Sequence, residues 1–333
     1  MYRRIVINNL DKKNYFLVPI AISLILLGLI GPGFWKINSP AFFYKNKFYD
    51  SRSSINLKNL DFGTLKLDKK FLNSALSSKD MFGKEIALAW SQHLIKKALD
   101  SHKIPRIFFS QLPDDLHTYQ IKQRKKLFIS IILPLLVRGN EIVLNERNKI
   151  KQLFAQKKYK KIQKFCKKYK IKERECSINT SQLTLEKLLI KVDVLPMSMM
   201  LAQAAMESGW GVSRFAKKGN ALFGQWTWSN LTEGLKPKKT PNANFAVKSF
   251  KNLQNSVNGY LLNLNSHPAY EKMRQYRKLI KIRKENFKGK NFAKYLDKYA
   301  QIGYEYVFKI VTLINVNNLE IYNKIKFEKA STS

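Results

Sequence analysis

Residues 15–35 read YFLVPIAISLILLGLIGPGFW and carry no charged side chain. A helix of that length spans roughly 31 Å, close to the thickness of bilayer hydrocarbon. Arg3, Arg4, Lys12 and Lys13 precede it against only Asp11, a bias that keeps the N-terminus, 1–14, in the cytoplasm. The INSPAFF that follows is a poor cleavage site, so the segment reads as an uncleaved transmembrane signal anchor, with cleavage as the alternative. Either way the chain after residue 36 is exported. What folds is expected to be a domain on a single-pass tether in the inner membrane, on its periplasmic side. A second apolar run, LFISIILPLLV at 127–137, is too short to span and is interrupted by Pro134. It reads as a buried core helix.

Export limits what the charge can mean. Lys and Arg number 61 against 23 Asp and Glu, a net charge of +38. Nucleic acid, an anionic membrane or an acidic polymer would each suit such a surface. Lys, Asn and Ile are abundant throughout, so composition accounts for part of the excess, and an exported domain rarely meets nucleic acid. With 45% hydrophobic and 12% aromatic residues the chain can build a packed core. Cys166 and Cys176 lack zinc spacing, and His93, His102, His117 and His267 are scattered, so neither a metal nor a cofactor is expected. The two cysteines read by default as free thiols, although export would allow them to pair across a helix–turn junction.

Past the anchor, 36–85 mixes Ser, Asn and Lys with aromatics and reads as a linker. Residues 86–180 form a helical accessory region, broken by the extended, Pro-bounded KIPRIFFSQLPDDL. Its stretch 151–175 holds eleven basic residues and two acids around Phe154, Tyr159, Ile162 and Phe165. That is a solvated helix face over a core stripe, or less readily a surface for anionic lipid or wall polymer. Residues 181–320 read as a compact helical domain, and 321–333 as a tail. Pro196 suits a first helical position, and Gly209 can stop the helix that ends near Ser208. Val257, Tyr260, Leu261 and Leu264 make a core-facing stripe, and Phe292, Tyr295, Leu296 and Tyr299 repeat its spacing. Between them, residues 220–250 are rich in turn formers and aromatics, which predicts loops and a short hairpin.

The chemistry concentrates in LAQAAMESGWG, 201–211. In a helix Gln203 lies one turn before Glu207 on the same face, among Ala204, Ala205 and Met206, and Trp210 follows. A carboxyl in such company loses hydration, which raises its pKa and lets it keep a proton near neutral pH for a leaving-group oxygen. Trp210, Phe223, Trp226 and Trp228 offer flat faces for stacking on sugar rings. A lone Glu at a helix end is more often a backbone-bonded cap; the surrounding string reverses that reading.

LPMSMMLAQAAMESGWGVSRFAKKGNALFGQW resembles the catalytic motif of the glucosaminidase family of peptidoglycan hydrolases, and within it the Bax-like group. IPRIFFSQLPDDL, KKLFISIILPLLVRGNEIVLNER, FKNLQNSVNGYLLNLNSHPAYEKMR and YAQIGYEYV extend the resemblance, in order, over about 100–312. It implies a mainly α (α+β), lysozyme-like helical domain with a small β lobe beside the cleft. It implies Glu207 as the catalytic acid, Phe223 and Trp226 as cleft aromatics, and Tyr299 as a residue placing water or the substrate N-acetyl group. Gln203, Trp210, Gln225 and Tyr306 are the further expected substrate contacts. Relatives may carry a second acid in the β lobe, but NANFAVKSF has none; Glu233 is the nearest substitute, ahead of Asp297 and Glu305, although it reads more readily as an exposed loop charge.

The expected activity is hydrolysis of β-1,4 bonds after N-acetylglucosamine in peptidoglycan glycan strands. Two carboxylates would give retaining or inverting chemistry; one would leave the attack to the substrate's own acetamido group. A lytic transglycosylase of the same fold is the rival enzyme, though such chains follow the Glu with a GLMQ-type string where this one has NALFGQW. A non-catalytic wall-binding scaffold is the rival from another class, and an intracellular nucleic-acid binder ranks last.

Overall fold

A computed structural model of the protein describes residues 82–176, 181–227, 234–236 and 244–328. The predicted anchor at 15–35, nearly all of the linker, Trp228 and Glu233 lie outside the described residues. In chain order, α1 (Phe82–Ser101) leads into β1 (Lys103–Ile104) and the long helix α2 (Ile121–Ala155). Then come α3 (Tyr159–Lys168), α4 (Gln182–Lys191), α5 (Met197–Ser208) and α6 (Arg214–Gly219). Strands β2 (Trp226–Thr227), β3 (Gly234–Leu235) and β4 (Ala246–Lys248) follow. The chain continues through α7 (Leu253–Ser266), α8 (Glu271–Ile282), α9 (Gly289–Ala293), α10 (Tyr304–Val316), a 3-10 turn (Leu319–Lys324) and β5 (Lys326–Phe327). The mainly helical class with a small β lobe is what the chain adopts: β2, β4 and β3 form an antiparallel sheet in that order, on the segment predicted to hold a hairpin.

The core is organised around α5. Its sequence MSMMLAQAAMES is small or apolar on nearly every side, and a helix of that kind has to be enclosed. Met197 through Ala205 are all buried, with α2, α9, α10 and the 319–324 turn packed around them. Pro196 sits at the N-cap, one residue ahead of the position expected for it, and Gly209 closes the other end in the left-handed conformation, with φ 60°.

The apolar run at 127–137 lies inside α2, which continues through Pro134 to Ala155. Proline removes one backbone donor, and burial of Leu127 through Val137 offsets that loss. Among the described residues α2 is the one helix long and apolar enough to cross a membrane, yet 78% of its apolar window is buried inside the fold. It is a core helix. One hydrophobic core draws on both sides of residue 180: Leu136 and Val143 of α2 share it with Leu201 of α5 and Val257 of α7. Tyr322, Ile325 and Phe327 join it, and β5 pairs in parallel with β1.

Val257, Tyr260, Leu261 and Leu264 are buried along one face of α7, as their spacing requires. The similar spacing at 292–299 is not one helix, because α9 ends at Ala293. Tight turns continue it, with Tyr295 N–H donating to Phe292, Leu296 to Ala293 and Tyr299 to Leu296. Bonds of the i to i+3 type keep Phe292, Leu296 and Tyr299 against the core without an α-helix. The default reading of two free thiols is also corrected: Cys166 of α3 and Cys176 form a disulfide that closes the turn after α3.

The loop that delivers the chain into α5 is held by charge. Arg277 of α8 is buried and donates to the carbonyls of Ile190, Lys191, Asp193 and Val194 and to the Asn265 side chain. Asp193 is buried beside it; burial alone would raise its carboxyl, but Arg277, Lys281 and Arg147 outweigh that and hold it below its ordinary range. Replacing Arg277 with Met removes the donor to these carbonyls and one of the three cations around Asp193. We expect it to cost about 2–4 kcal/mol of stability, read as a lowered melting temperature. An unchanged melting temperature would show that the loop is held by something else.

Candidate active site

Glu207 is the last acid of α5, and the helix is released immediately after it. Gly209, Trp210 and Gly211 take left-handed φ values of 60°, 56° and 85° in succession. Glycine adopts this conformation freely, whereas Trp210 is strained and has to be held. Ser208 Oγ stitches the turn, donating to the Ala204 carbonyl at 2.6 Å and accepting from the Gly211 N–H at 2.9 Å. The Trp210 ring packs edge-on to Phe128 at 5.7 Å, with Lys125 Nζ 4.9 Å above it. Half-buried, the indole is thus committed first to holding this turn.

Glu207 projects toward a cluster of tyrosines. Tyr306 of α10 donates its hydroxyl to Glu207 Oε1 at 2.8 Å. Gln203, one helical turn back, donates from Nε2 to the Tyr306 oxygen at 3.0 Å and accepts at Oε1 from the Tyr260 hydroxyl at 2.5 Å. Tyr299 stacks on Tyr306 at 5.3 Å and donates its hydroxyl to the Phe223 carbonyl at 2.8 Å. The other side is closed by Gly224, with φ +56°, where a Cβ would lie 2.8 Å from Glu207 Oε2. Only glycine permits that approach of backbone to carboxyl.

The electrostatic result follows from the packing. Glu207 keeps some accessible surface, yet its carboxyl is closely surrounded, and burial pushes it from an ordinary 4.5 up to about 7; the Tyr306 hydroxyl pulls the other way. Burial also raises Tyr260, Tyr299 and Tyr306 well above the usual phenol range, so each remains a neutral donor. Oε2 accepts no hydrogen bond from the described residues, which leaves it for a ligand. A carboxyl that is half protonated near neutrality, with one oxygen tied and one free, can act as a general acid.

The expected residues divide. Glu207, Gln203, Tyr299 and Tyr306 come together, but Gln203 is 0% and Tyr306 1% exposed, so neither touches a glycan. In this structure Tyr306 bonds the Glu207 carboxyl and Gln203 bonds Tyr306, where direct contact with a substrate was the expectation. Phe223, 1% exposed and stacked on Tyr260 at 3.9 Å, is a floor residue rather than an open stacking face. Trp226 on β2 is half-buried and packs on Phe245 at 4.2 Å. Gln225 lies half-buried between Phe223 and β2, and its buried Oε1 has no hydrogen-bond partner among the described residues. The described strands of the sheet carry no carboxylate, and Glu305 is exposed and paired with Lys309. By its spacing Tyr260 belongs to the core stripe of α7, and nothing in the sequence singles out Gly224. A tyrosine inside a buried stripe needs a partner for its hydroxyl, and that was the available signal. Among the described residues no group of His, Cys, Asp and Glu could hold a metal.

Because folding raises this carboxyl, the folded chain holds the proton more tightly than the unfolded chain does. From pH 4.5 to about 7 the unfolded chain ionises first, so stability falls as pH rises through that window. Glu207→Gln removes the ionisation. Its melting temperature should exceed the parent's by a few degrees at pH 8, and the gap should close below pH 4.5. A gap independent of pH would mean that Glu207 titrates normally.

Comparison with known proteins agrees with this geometry. Residues 183–319 match the family model described as glucosaminidase, mannosyl-glycoprotein endo-beta-N-acetylglucosaminidase. The chain is 32% identical over 209 residues to Protein bax of Escherichia coli (strain K12), covering 56% of this chain and 72% of that protein. No solved structure matches it. A mainly helical domain with a small sheet is the lysozyme-like architecture that the sequence resemblance implied, and the chain belongs to the Bax-like glucosaminidase family.

Proposed function

We propose that the protein is a membrane-anchored cell-wall hydrolase that cleaves β-1,4 bonds after N-acetylglucosamine in peptidoglycan, with Glu207 as general acid. The observation that carries this reading is a carboxyl raised to about 7 with one oxygen committed to Tyr306 and the other left free. Protonated Glu207 donates to the glycosidic oxygen as the bond breaks, and the neutral phenols around it support the carboxylate that forms without adding charge. Tyr299, tied to the Phe223 carbonyl, holds the loop at Gly224 against the acid. The attacking group is Glu233 itself, a water activated by it, or the substrate's own 2-acetamido oxygen, and the stereochemistry at the new reducing end separates the water route, which inverts, from the other two, which retain.

The uncharged segment 15–35 supports anchoring, and the Cys166–Cys176 disulfide supports an oxidising compartment such as the periplasm. The net charge of +38 suits a wall whose peptide stems carry carboxylates, an attraction that salt screens.

Digestion of purified sacculi, with mass analysis of the products, is the direct test. We expect reducing N-acetylglucosamine ends, loss of lysis by at least about 100-fold in Glu207→Gln, and activity that declines with ionic strength. Anhydro-sugar ends would identify a transglycosylase, unchanged lysis in Glu207→Gln would place the chemistry elsewhere or favour a scaffold, and a flat salt profile would remove the role given to the charge.

A further inference from the structure

Resting on the reading of Glu207 as the acid and deepening it, we infer that Gln203 and Tyr260 are positioning residues that select which oxygen of Glu207 carries the proton. The argument is one of donor counting. A phenol has a single proton. The Tyr306 oxygen is occupied as an acceptor by Gln203 Nε2–H at 3.0 Å, and the Tyr306 proton is directed to Glu207 Oε1 at 2.8 Å. Gln203 in turn is held in that orientation because its Oε1 accepts from the Tyr260 hydroxyl at 2.5 Å. Every donor in the chain Tyr260–Gln203–Tyr306 therefore points toward the carboxyl.

Glu207 Oε1 is then an acceptor, and the acid's proton belongs on Oε2, the oxygen beside Gly224 that no described residue hydrogen-bonds. Were the chain reversed, Tyr306 would accept from Oε1–H and the proton would point at a phenol instead of a leaving group. Gln203 and Tyr260 are both fully buried, and their hydrogen bonds reach Glu207 through Tyr306. The titratable groups facing Glu207 are Tyr306 from α10, Tyr299 from the turns after α9, Tyr260 from α7, and Tyr270 from the turn between α7 and α8. All four are raised and neutral near pH 7, so direction of donation, not a neighbouring charge, is what distinguishes the two oxygens.

The test uses Gln203→Met, Tyr260→Phe, the double variant and Glu207→Gln in the full chain, on soluble glycan strands released from sacculi. Tyr260→Phe removes a single oxygen and keeps the ring stacked on Phe223, and circular dichroism confirms that each variant is folded at the assay temperature. With the relay broken, Tyr306 is free to accept from Glu207. We expect kcat to fall about 10-fold with KM nearly unchanged, and the alkaline limb of the pH profile to move to higher pH. The double variant should be no worse than Gln203→Met, since both act through one chain. Parental kcat and pH profile in the folded single variants would overturn the inference, as would a fall in kcat with an unmoved alkaline limb or with additive losses in the double variant. Glu207→Gln separates the two levels: if it is inactive while the relay variants are parental, only the relay fails, whereas an active Glu207→Gln overturns the acid and the relay together.

Discussion

A carboxyl group that folding strips of water, and to which none of the described residues brings a cation, is the constraint on which the rest of the structure depends. Glu207 receives one neutral hydrogen bond, from Tyr306, and otherwise meets ring faces and the backbone at Gly224. In water such a group would ionise near 4.5; here burial outweighs the single donor and raises it to about 7. Asp193 makes the contrast within the same molecule. It is also buried, but Arg277, Lys281 and Arg147 surround it, and its carboxyl is held down. One acid is compensated and structural, the other uncompensated and available.

The fold can be understood as the means of keeping that arrangement rigid. The acid stands at the end of α5, a helix enclosed on all sides, so its position is set by the densest part of the core. The left-handed Gly209–Trp210–Gly211 turn takes the chain away directly after the acid. Helices α7 and α10 each contribute one tyrosine to a hydrogen-bonded chain that starts at Tyr260, passes through Gln203 of α5 and Tyr306, and ends on Glu207 of α5. The Arg277 cluster fixes one approach to α5. At its start, Asn323 and Glu320 of the 319–324 turn bond Ser198. The proposed catalytic power is therefore distributed: chemistry on one side chain, geometry on several remote ones.

Much of this was legible in the sequence because it follows from local rules. A small apolar run ended by glycine gave α5, and period-3.6 spacing gave the buried face of α7. The acid itself stood out because its neighbours could not solvate it. What stayed hidden depends on tertiary contact. The 292–299 spacing fits an α-helix and a series of tight turns equally well, and only packing decides between them. Phe223 and Trp226 are alike in sequence as exposed cleft aromatics, yet one is sealed under Tyr260 and the other half-open beside Phe245. The spacing puts Gln203 on the face of Glu207, but only the fold shows that its amide is bonded to Tyr306 and Tyr260.

The most direct measurement of the central claim is the titration of the Glu207 carboxyl carbon itself. It can be followed by NMR in a chain labelled with 13C at glutamate side chains and assigned by difference against Glu207→Gln. The account predicts a midpoint near pH 7. A midpoint near 4.5 would mean that the carboxyl is hydrated or paired at neutral pH, and the proton on which the proposed chemistry depends would not be there.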